Sequence, residues 1–389
     1  MRQSDFKNLT ALVADDMFNM RRTIKNMLRA IGFENVIEAE NGLKAWEILN
    51  KSKIDIMVSD WNMPEMPGLE LLRRVRDNSR LRDLPFIMIT AEVAEGNIVQ
   101  AAETEVDGYL IKPFVAKALE EKIMAIFSNR ENPSPFERNM KAGQVYMDSQ
   151  QYDKAIGAFT ESLNIRPDSA RARFSLGEAH SKKGDMKEAE KWHKEAMAVN
   201  PQYIRAYEGL SAVYDNLGKS DEAVKVLEKA SQISPNNPER YLEIGKLHLK
   251  RGDKEKADQA LEMATRNAEH NPDIHTQIGE VYLAAGDDSK AADAFSHSID
   301  IFESVHVYNR LGIALRKKGQ FDEALKVYQR AIKLEPENEV LYFNVGRLLM
   351  EQAFYRDAAE YFRKALDLDP EFAECKNMLS KVNELSGKK

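Results

Sequence analysis

From Phe136 onward the chain repeats itself every 34 residues, and no other feature limits its fold so tightly. Small residues stand at Gly143, Gly177, Ser211, Gly245, Gly279, Gly312 and Gly346, with a single spacing of 33 between Gly279 and Gly312. Twelve residues after each comes an alanine: Ala155, Ala189, Ala223, Ala257, Ala291, Ala324 and Ala358. Sixteen after each comes a large residue: Phe159, His193, Leu227, Leu261, Phe295, Tyr328 and Phe362. Five units carry glycine seven residues on (Gly184, Gly218, Gly252, Gly286, Gly319), and five close on proline (Pro167, Pro201, Pro235, Pro336, Pro370). The small residue lets two antiparallel helices approach, the glycine ends the first in a left-handed cap, and the proline stops the second. One such pair cannot bury its apolar face alone, so the units must stack. The pattern predicts an all-α solenoid of seven units over 136–370, with 371–389 as a capping helix.

This pattern resembles the tetratricopeptide (TPR) repeat, which implies a protein-binding scaffold. The concave face is expected to carry first-helix positions such as Arg173, Glu208, Lys246, Glu280, Arg316, Phe343 and Arg347. These form either a solvated charged face or a peptide groove. No clear Lys and Asn run matches the clamp that holds a C-terminal carboxylate in chaperone-binding relatives. Two irregularities stand out. The fourth unit has what reads as an extra helical turn before Pro272, and the fifth lacks a closing proline and is one residue short around Phe302–His306, a candidate hinge.

Residues 1–128 obey a different rule. Short branched apolar runs, Leu9–Ala14, Asn35–Ala39, Ile54–Ser59, Leu84–Thr90 and Asp107–Ile111, alternate with helix-length segments at Phe18–Ile31, Gly42–Asn50, Leu69–Asp77, Gly96–Glu103 and Val115–Phe127. Strands apolar on both sides lie inside parallel sheets covered on both faces. Five β-α units therefore predict an α/β doubly wound domain with a parallel sheet and right-handed crossovers. The polar, proline-bearing stretch 129–135 reads as a linker.

Ligands of such sheets bind beyond the carboxyl ends of the strands. The residues there are Asp15 and Asp16 after the first strand, Asp60 in SDWNMP, Thr90 in ITAE and Lys112 in YLIKPF. With strand order 2-1-3-4-5, three carboxylates, a hydroxyl and an amine share one edge. Clustered carboxylates repel unless a cation joins them, and hard oxygens on an open site suit Mg²⁺. A carboxylate beside such an ion can attack phosphorus and form an aspartyl-phosphate. Lys112 and Thr90 could then neutralise the remaining phosphoryl oxygens. Taken singly, Asp15-Asp16 would be an ordinary helix cap and Lys112-Pro113 a strand end; their coincidence at successive strand ends favours the chemical reading.

The motifs DWNMP, GLELL, TAE, GYLIKPF and LEEK make the whole first domain similar to the receiver domains of two-component response regulators, of the CheY-like chemotaxis type. The resemblance implies Asp60 as phosphoacceptor, and Mg²⁺ held by Asp15, Asp16, Asp60 and the backbone carbonyl of Asn62. It implies Thr90 and Tyr109 as a switch pair, Lys112 as the phosphoryl-holding cation, and a cis Lys112–Pro113 bond. A strand aromatic is often simple packing, but Thr90 in the neighbouring strand's loop favours the switch role for Tyr109. Met17 and Thr104-Glu105 depart from the usual aromatic and Ala-Gly pair; the second departure changes the face that receivers use for partners.

Composition narrows the rest. No apolar run approaches the roughly 20 residues of a membrane helix, and MRQSDFKN lacks a signal-peptide core. A single cysteine, Cys375, excludes a disulfide framework and a cysteine-built zinc site. All seven histidines lie beyond residue 136. His180, His193 and His248 fall on repeat packing positions, and His270 and His275 are wrongly spaced for one helical face, so no zinc site is expected. Residues 1–128 hold 17 basic against 20 acidic residues and the remainder 39 against 43, which disfavours nucleic-acid binding. The expectation is a cytoplasmic, non-enzymatic response regulator. A histidine kinase phosphorylates Asp60, biasing Gly96–Phe127, and the repeats bind an unknown protein or peptide. One alternative has the receiver face dock on a flagellar motor component or kinase while the repeats localise it. Another is a phosphotransfer sink.

Overall fold

The computed structural model describes residues 3–78, 80–91 and 106–386. By contacts the chain divides into two compact units, Met1–Arg240 and Tyr241–Lys389. The division falls inside the fourth repeat.

The first unit begins with five strands, β1 (Thr10–Ala14), β2 (Asn35–Ala39), β3 (Ile56–Asp60), β4 (Phe86–Thr90) and β5 (Gly108–Ile111). They form a parallel sheet in the order β2-β1-β3-β4-β5. Helices α1 (Phe18–Ile31), α2 (Gly42–Lys51), α3 (Gly68–Asp77) and α4 (Ala116–Glu131) flank it. The apolar runs split by alternation, as strand geometry requires. Leu12, Ala14, Met57, Phe86 and Met88 pack on Ala45, Leu49, Leu71 and Val75 of α2 and α3. Ala11, Val13, Ile56, Val58, Ile87 and Ile89 pack on Ile24, Leu28, Leu119 and Ile123 of α1 and α4. The segment Gly96–Glu103 and the pair Thr104-Glu105 lie outside the described residues.

Two boundaries that bear on the site and the linker differ from the sequence reading. Asp60 is the last residue of β3, paired in register with Ile89, rather than the residue after it. The linker is shorter than 129–135: α4 runs through Glu131, and the next helix starts at Pro135. Pro135 occupies the first helical turn, where its missing N–H costs nothing, and the Ser134 hydroxyl accepts from the Glu137 N–H at 3.2 Å.

The repeats of the first unit are α5 (Pro135–Asp148) with α6 (Tyr152–Ile165), α7 (Ala170–Lys183) with α8 (Met186–Val199), and α9 (Ile204–Asn216) with α10 (Ser220–Ile233). α11 (Pro238–Lys250) starts the fourth. The second unit continues with α12 (Lys254–Asn267), α13 (Pro272–Ala284), α14 (Asp288–Ile301), α15 (Val305–Lys317), α16 (Phe321–Leu334), α17 (Glu339–Glu351) and α18 (Tyr355–Leu368), and ends on the cap α19 (Ala373–Ser386). The packing rule is visible in atoms. A Cβ added at Gly143, Gly279 or Gly346 would stand 2.3–2.6 Å from the ring of Phe159, Phe295 or Phe362, so the small residue exists to seat the large one sixteen positions on. All seven alanines of the pattern are fully buried. The five turn glycines have φ between 72° and 96°. In the two units without one, Gln150 (φ 58°) and Ala353 (φ 63°) take the same left-handed conformation.

The extra helical turn expected in the fourth unit is absent. α12 has 14 residues, as α6 does, and 268–270 form a turn. Asn271 accepts from the N–H groups of Asp273 and Ile274 and so caps a helix that opens on Pro272; the residue before a proline resists helical backbone, which ends the preceding helix early. The fifth unit is short because only residues 302–304 join α14 to α15. Among the described residues no helix is long and apolar enough to cross a membrane.

Candidate functional site

The carboxyl ends of β1, β3, β4 and β5 bring Asp15, Asp60, Thr90 and Lys112 to one edge of the sheet. Asp15 is fully buried, Asp60 and Thr90 nearly so. The Lys112 ammonium donates to Asp60 Oδ1 at 2.6 Å and to Asp15 Oδ2 at 3.0 Å. It sits on a backbone fixed by the Lys112 N–H donating to the Thr90 carbonyl at 2.7 Å, and the Lys112–Pro113 bond is cis. The second oxygen of Asp60 accepts from the Asn62 N–H at 3.2 Å. Asp15 Oδ1 accepts from the Met17 N–H at 2.8 Å, so this carboxylate also organises the turn into α1. Asp16 and Asn62 are exposed at the mouth.

Burial pushes the Asp60 carboxyl above its ordinary value; the hydrogen bond and charge of Lys112 oppose this, and the Asp15 charge adds to it. Burial alone would lower the Lys112 ammonium, but hydrogen bonds to Asp60 and Asp15 outweigh it and leave the group firmly charged. Tyr109, half-buried, is raised by desolvation, and its hydroxyl is hydrogen-bonded to Thr90, which opposes the rise.

Sequence reasoning missed three parts. Arg21 on α1 donates to the carbonyls of Asp15 (2.6 Å) and Asp16 (3.1 Å), tying down the backbone that carries the acidic pair. The Ser59 hydroxyl donates to the Asp60 carbonyl at 3.0 Å. Gly68, which opens α3, lies so close that a Cβ there would stand 2.0 Å from the Asp60 carbonyl oxygen. The basic run MRR one turn after Asp15-Asp16 and the glycine of PGLELL were the available signals.

Among the described residues no group of three or more His, Cys, Asp or Glu side chains is arranged to hold a metal ion. The donor set still fits Mg²⁺. The ion keeps several waters and needs only one or two carboxylates, with phosphate oxygens supplying the rest, and the raised Asp60 carboxyl marks a place where added positive charge is favourable. Asp15, Asp16, Asp60 and the Asn62 carbonyl would hold it. The histidines build no such set: His193 and His248 are buried, and the His275 ring nitrogen meets the Glu269 carbonyl at 3.1 Å.

Residues 11–124 match the family described as the response regulator receiver domain. Residues 114–382 match the family described as the cilia and flagella-associated protein 70 C-terminal domain. The segment shared by both matches enters α4, whose Leu119 and Ile123 pack on the sheet. Chemotaxis protein CheY-3 of Vibrio cholerae serotype O1 is 47% identical over 121 residues, 31% of this chain and 93% of that protein. Chemotaxis protein CheY of Pseudomonas aeruginosa is 49% identical over 116 residues, 30% of this chain and 94% of that one. Among solved structures, the APC/C hetero-tetramer Cut9–Hcn1 is similar at TM-score 0.41 and 16% identity, over 69% of this chain and 52% of that chain. A thermophilic TPR protein of Thermus thermophilus is similar at TM-score 0.38 and 23% identity, over 46% of this chain and 98% of that one. The chain thus belongs to the CheY-type response regulator receivers through its first domain, and to the TPR family of the cilia and flagella-associated protein 70 C-terminal domain through the helical repeats that follow.

Proposed function

We propose that the chain is a phosphorylation-dependent response regulator of a two-component system, with Asp60 as phosphoacceptor and the TPR array as its protein-binding output. The observation that carries this is the Lys112 ammonium held between Asp60 and Asp15 at the strand ends. An Asp60 oxygen attacks the phosphorus of a kinase phosphohistidine, the P–N bond breaks, and the imidazole leaves with the electron pair. The two carboxylates hold Lys112 charged where the incoming phosphoryl oxygens need a counter-charge. Mg²⁺ held by Asp15, Asp16, Asp60 and the Asn62 carbonyl would supply charge neutralisation for the transferred group. The Thr90 hydroxyl is placed to donate to the phosphoryl group, and its bond to Tyr109 gives that event a route to the β5 side of the domain. Hydrolysis of the acyl-phosphate in the same site resets the protein. The site is a signalling centre of the cytoplasm rather than that of an enzyme with a separate substrate.

The 47–49% identity to chemotaxis proteins favours one second reading, in which the receiver face docks on a motor component or kinase and the repeats localise it. Labelling with radioactive acetyl phosphate in Mg²⁺ tests the primary reading. The wild-type chain should take up label and Asp60→Asn should take up none. Undiminished labelling of Asp60→Asn removes the assignment. Capture of partners by beryllofluoride-loaded full chain, retained or lost on substituting groove residues, separates the two outputs.

A further inference from the structure

Within the first unit, the receiver touches the repeats through arginines of α3 and of the turn that follows it. Arg73 donates to Glu239 Oε2 at 3.0 Å, and Arg82 donates to Asp148 Oδ1 and Oδ2 at 3.1 and 3.3 Å. The Arg73 side chain is only 15% exposed. Its Nη2 and the Nε of Arg82 are buried and make no hydrogen bond, so this corner has given up hydration to reach the carboxylates. Desolvating a guanidinium is unfavourable unless an opposite charge compensates. Asp148 closes α5, the first helix of the first repeat, and Glu239 opens α11, the first helix of the fourth. At the matching positions the second and third units carry Arg171, Lys182, Arg205 and Asn216, so these two carboxylates are distinctive among their counterparts. Two arginines a few residues apart therefore bridge carboxylates from two separated repeats.

We propose that the two carboxylates Asp148 and Glu239 form a docking surface whose occupant is the receiver's own α3 corner. Its charge complements Arg73 and Arg82, and the two bridges fix the corner at both ends. The same geometry makes α3 the element through which the repeats read Asp60, a coupling that rests on the phosphoacceptor reading above. Gly68 lies against the Asp60 carbonyl with no space for a Cβ, and its N–H donates to the Trp61 carbonyl at 2.9 Å. A displacement at the end of β3 cannot be absorbed there without moving α3.

Hydrogen exchange of the full chain tests this. Combined Arg73→Glu and Arg82→Glu substitutions should raise exchange in Gly68–Asp77 and Pro135–Asp148 about five-fold. Adding Glu239→Arg and Asp148→Arg should restore protection. Should the arginine variant fail to fold, Glu239→Gln with Asp148→Asn, both on half-exposed side chains, must give the same rise. Unchanged exchange in these variants, or no rescue by the swapped charges, overturns the docking surface. Beryllofluoride should alter exchange in Gly68–Asp77 of the wild type. Bound beryllofluoride, seen by fluorine NMR, without that change overturns the coupling through α3, whereas failure to bind at all counts against the phosphoacceptor reading instead.

Discussion

The receiver and the repeats bury polar groups for opposite reasons. In the receiver, Asp15, Asp60 and Thr90 are gathered at one sheet edge, and each carboxylate has a charged partner. In the repeats, buried polar groups such as Ser162, His193, Ser298 and Arg240 are spread over the units. Ser162 donates back to the carbonyl of Ala158. Arg240 is spent on the carbonyls of Ala230 and Ser234 and on Glu208. Paired charge concentrated at one sheet edge marks a site, whereas polar groups dispersed along the units mark packing. The contrast also explains why Arg316 and Phe343, expected on the open concave face, are buried: Arg316 pairs with Glu351, and Phe343 stacks near Phe362 and Phe372.

The largest effect that would sharpen this contrast is expected at Lys112. Lys112→Ala leaves two buried carboxylates facing each other, and acetyl phosphate labelling should fall about a hundredfold; a loss below threefold would make the ammonium a packing element. His193 is the counterpart in the repeats. Its ring is wedged between Gly177 and Gly209, and neither nitrogen has a hydrogen-bond partner. Burial lowers it to about 4 from 6.5. The unfolded chain then binds the extra proton between those values, so this group's stabilisation is complete above pH 6.5 and is lost as pH falls towards 4. The slope is about 1.4 kcal/mol per pH unit, up to ~3 kcal/mol; Glu178, raised by burial, opposes part of it near the acid end. Denaturant unfolding followed from pH 7 to 4 should show this slope, and His193→Phe should flatten it.

A smaller effect is expected for Ala223→Phe, which forces a fully buried helix contact apart and should cost about 1–3 kcal/mol of repeat stability. Asp60 labelling should be unchanged, so a parallel loss of labelling would mean that the two regions unfold as one. The smallest effect is a gain. Gln150→Gly and Ala353→Gly relieve left-handed backbone, and each should stabilise by about 1 kcal/mol in urea melts. No gain would show that the cap strain is already compensated locally.

Much of the architecture was legible because it follows from local rules. The 34-residue period reports a steric contact seen at six glycines, and each contact is written in residues sixteen apart, such as Gly279 and Phe295. The placing of Asp15, Asp60, Thr90 and Lys112 together was legible because a parallel sheet delivers all its strand ends to one edge. The boundaries were less so: polarity and two prolines mark the linker longer than it is, and neither it nor the supposed extra turn before Pro272 reveals that Ser134 and Asn271 cap the helices that follow.

Only the tertiary structure decided how these parts meet. That Lys112 bridges Asp60 and Asp15 rather than one of them depends on a side chain's reach across the strand ends. That Gly68 is glycine for the sake of Asp60 depends on a loop folding back within a van der Waals radius. The pairing of Arg73 with Glu239 joins residues 166 positions apart. No period or motif encodes such a pair, because many exposed carboxylates are equivalent in sequence and only their final positions select one. The sequence by itself determined a doubly wound receiver, its acidic edge and seven stacked repeats, since these arise from short-range sterics and strand topology; which face of the repeats meets α3 was left to the packing of the whole unit.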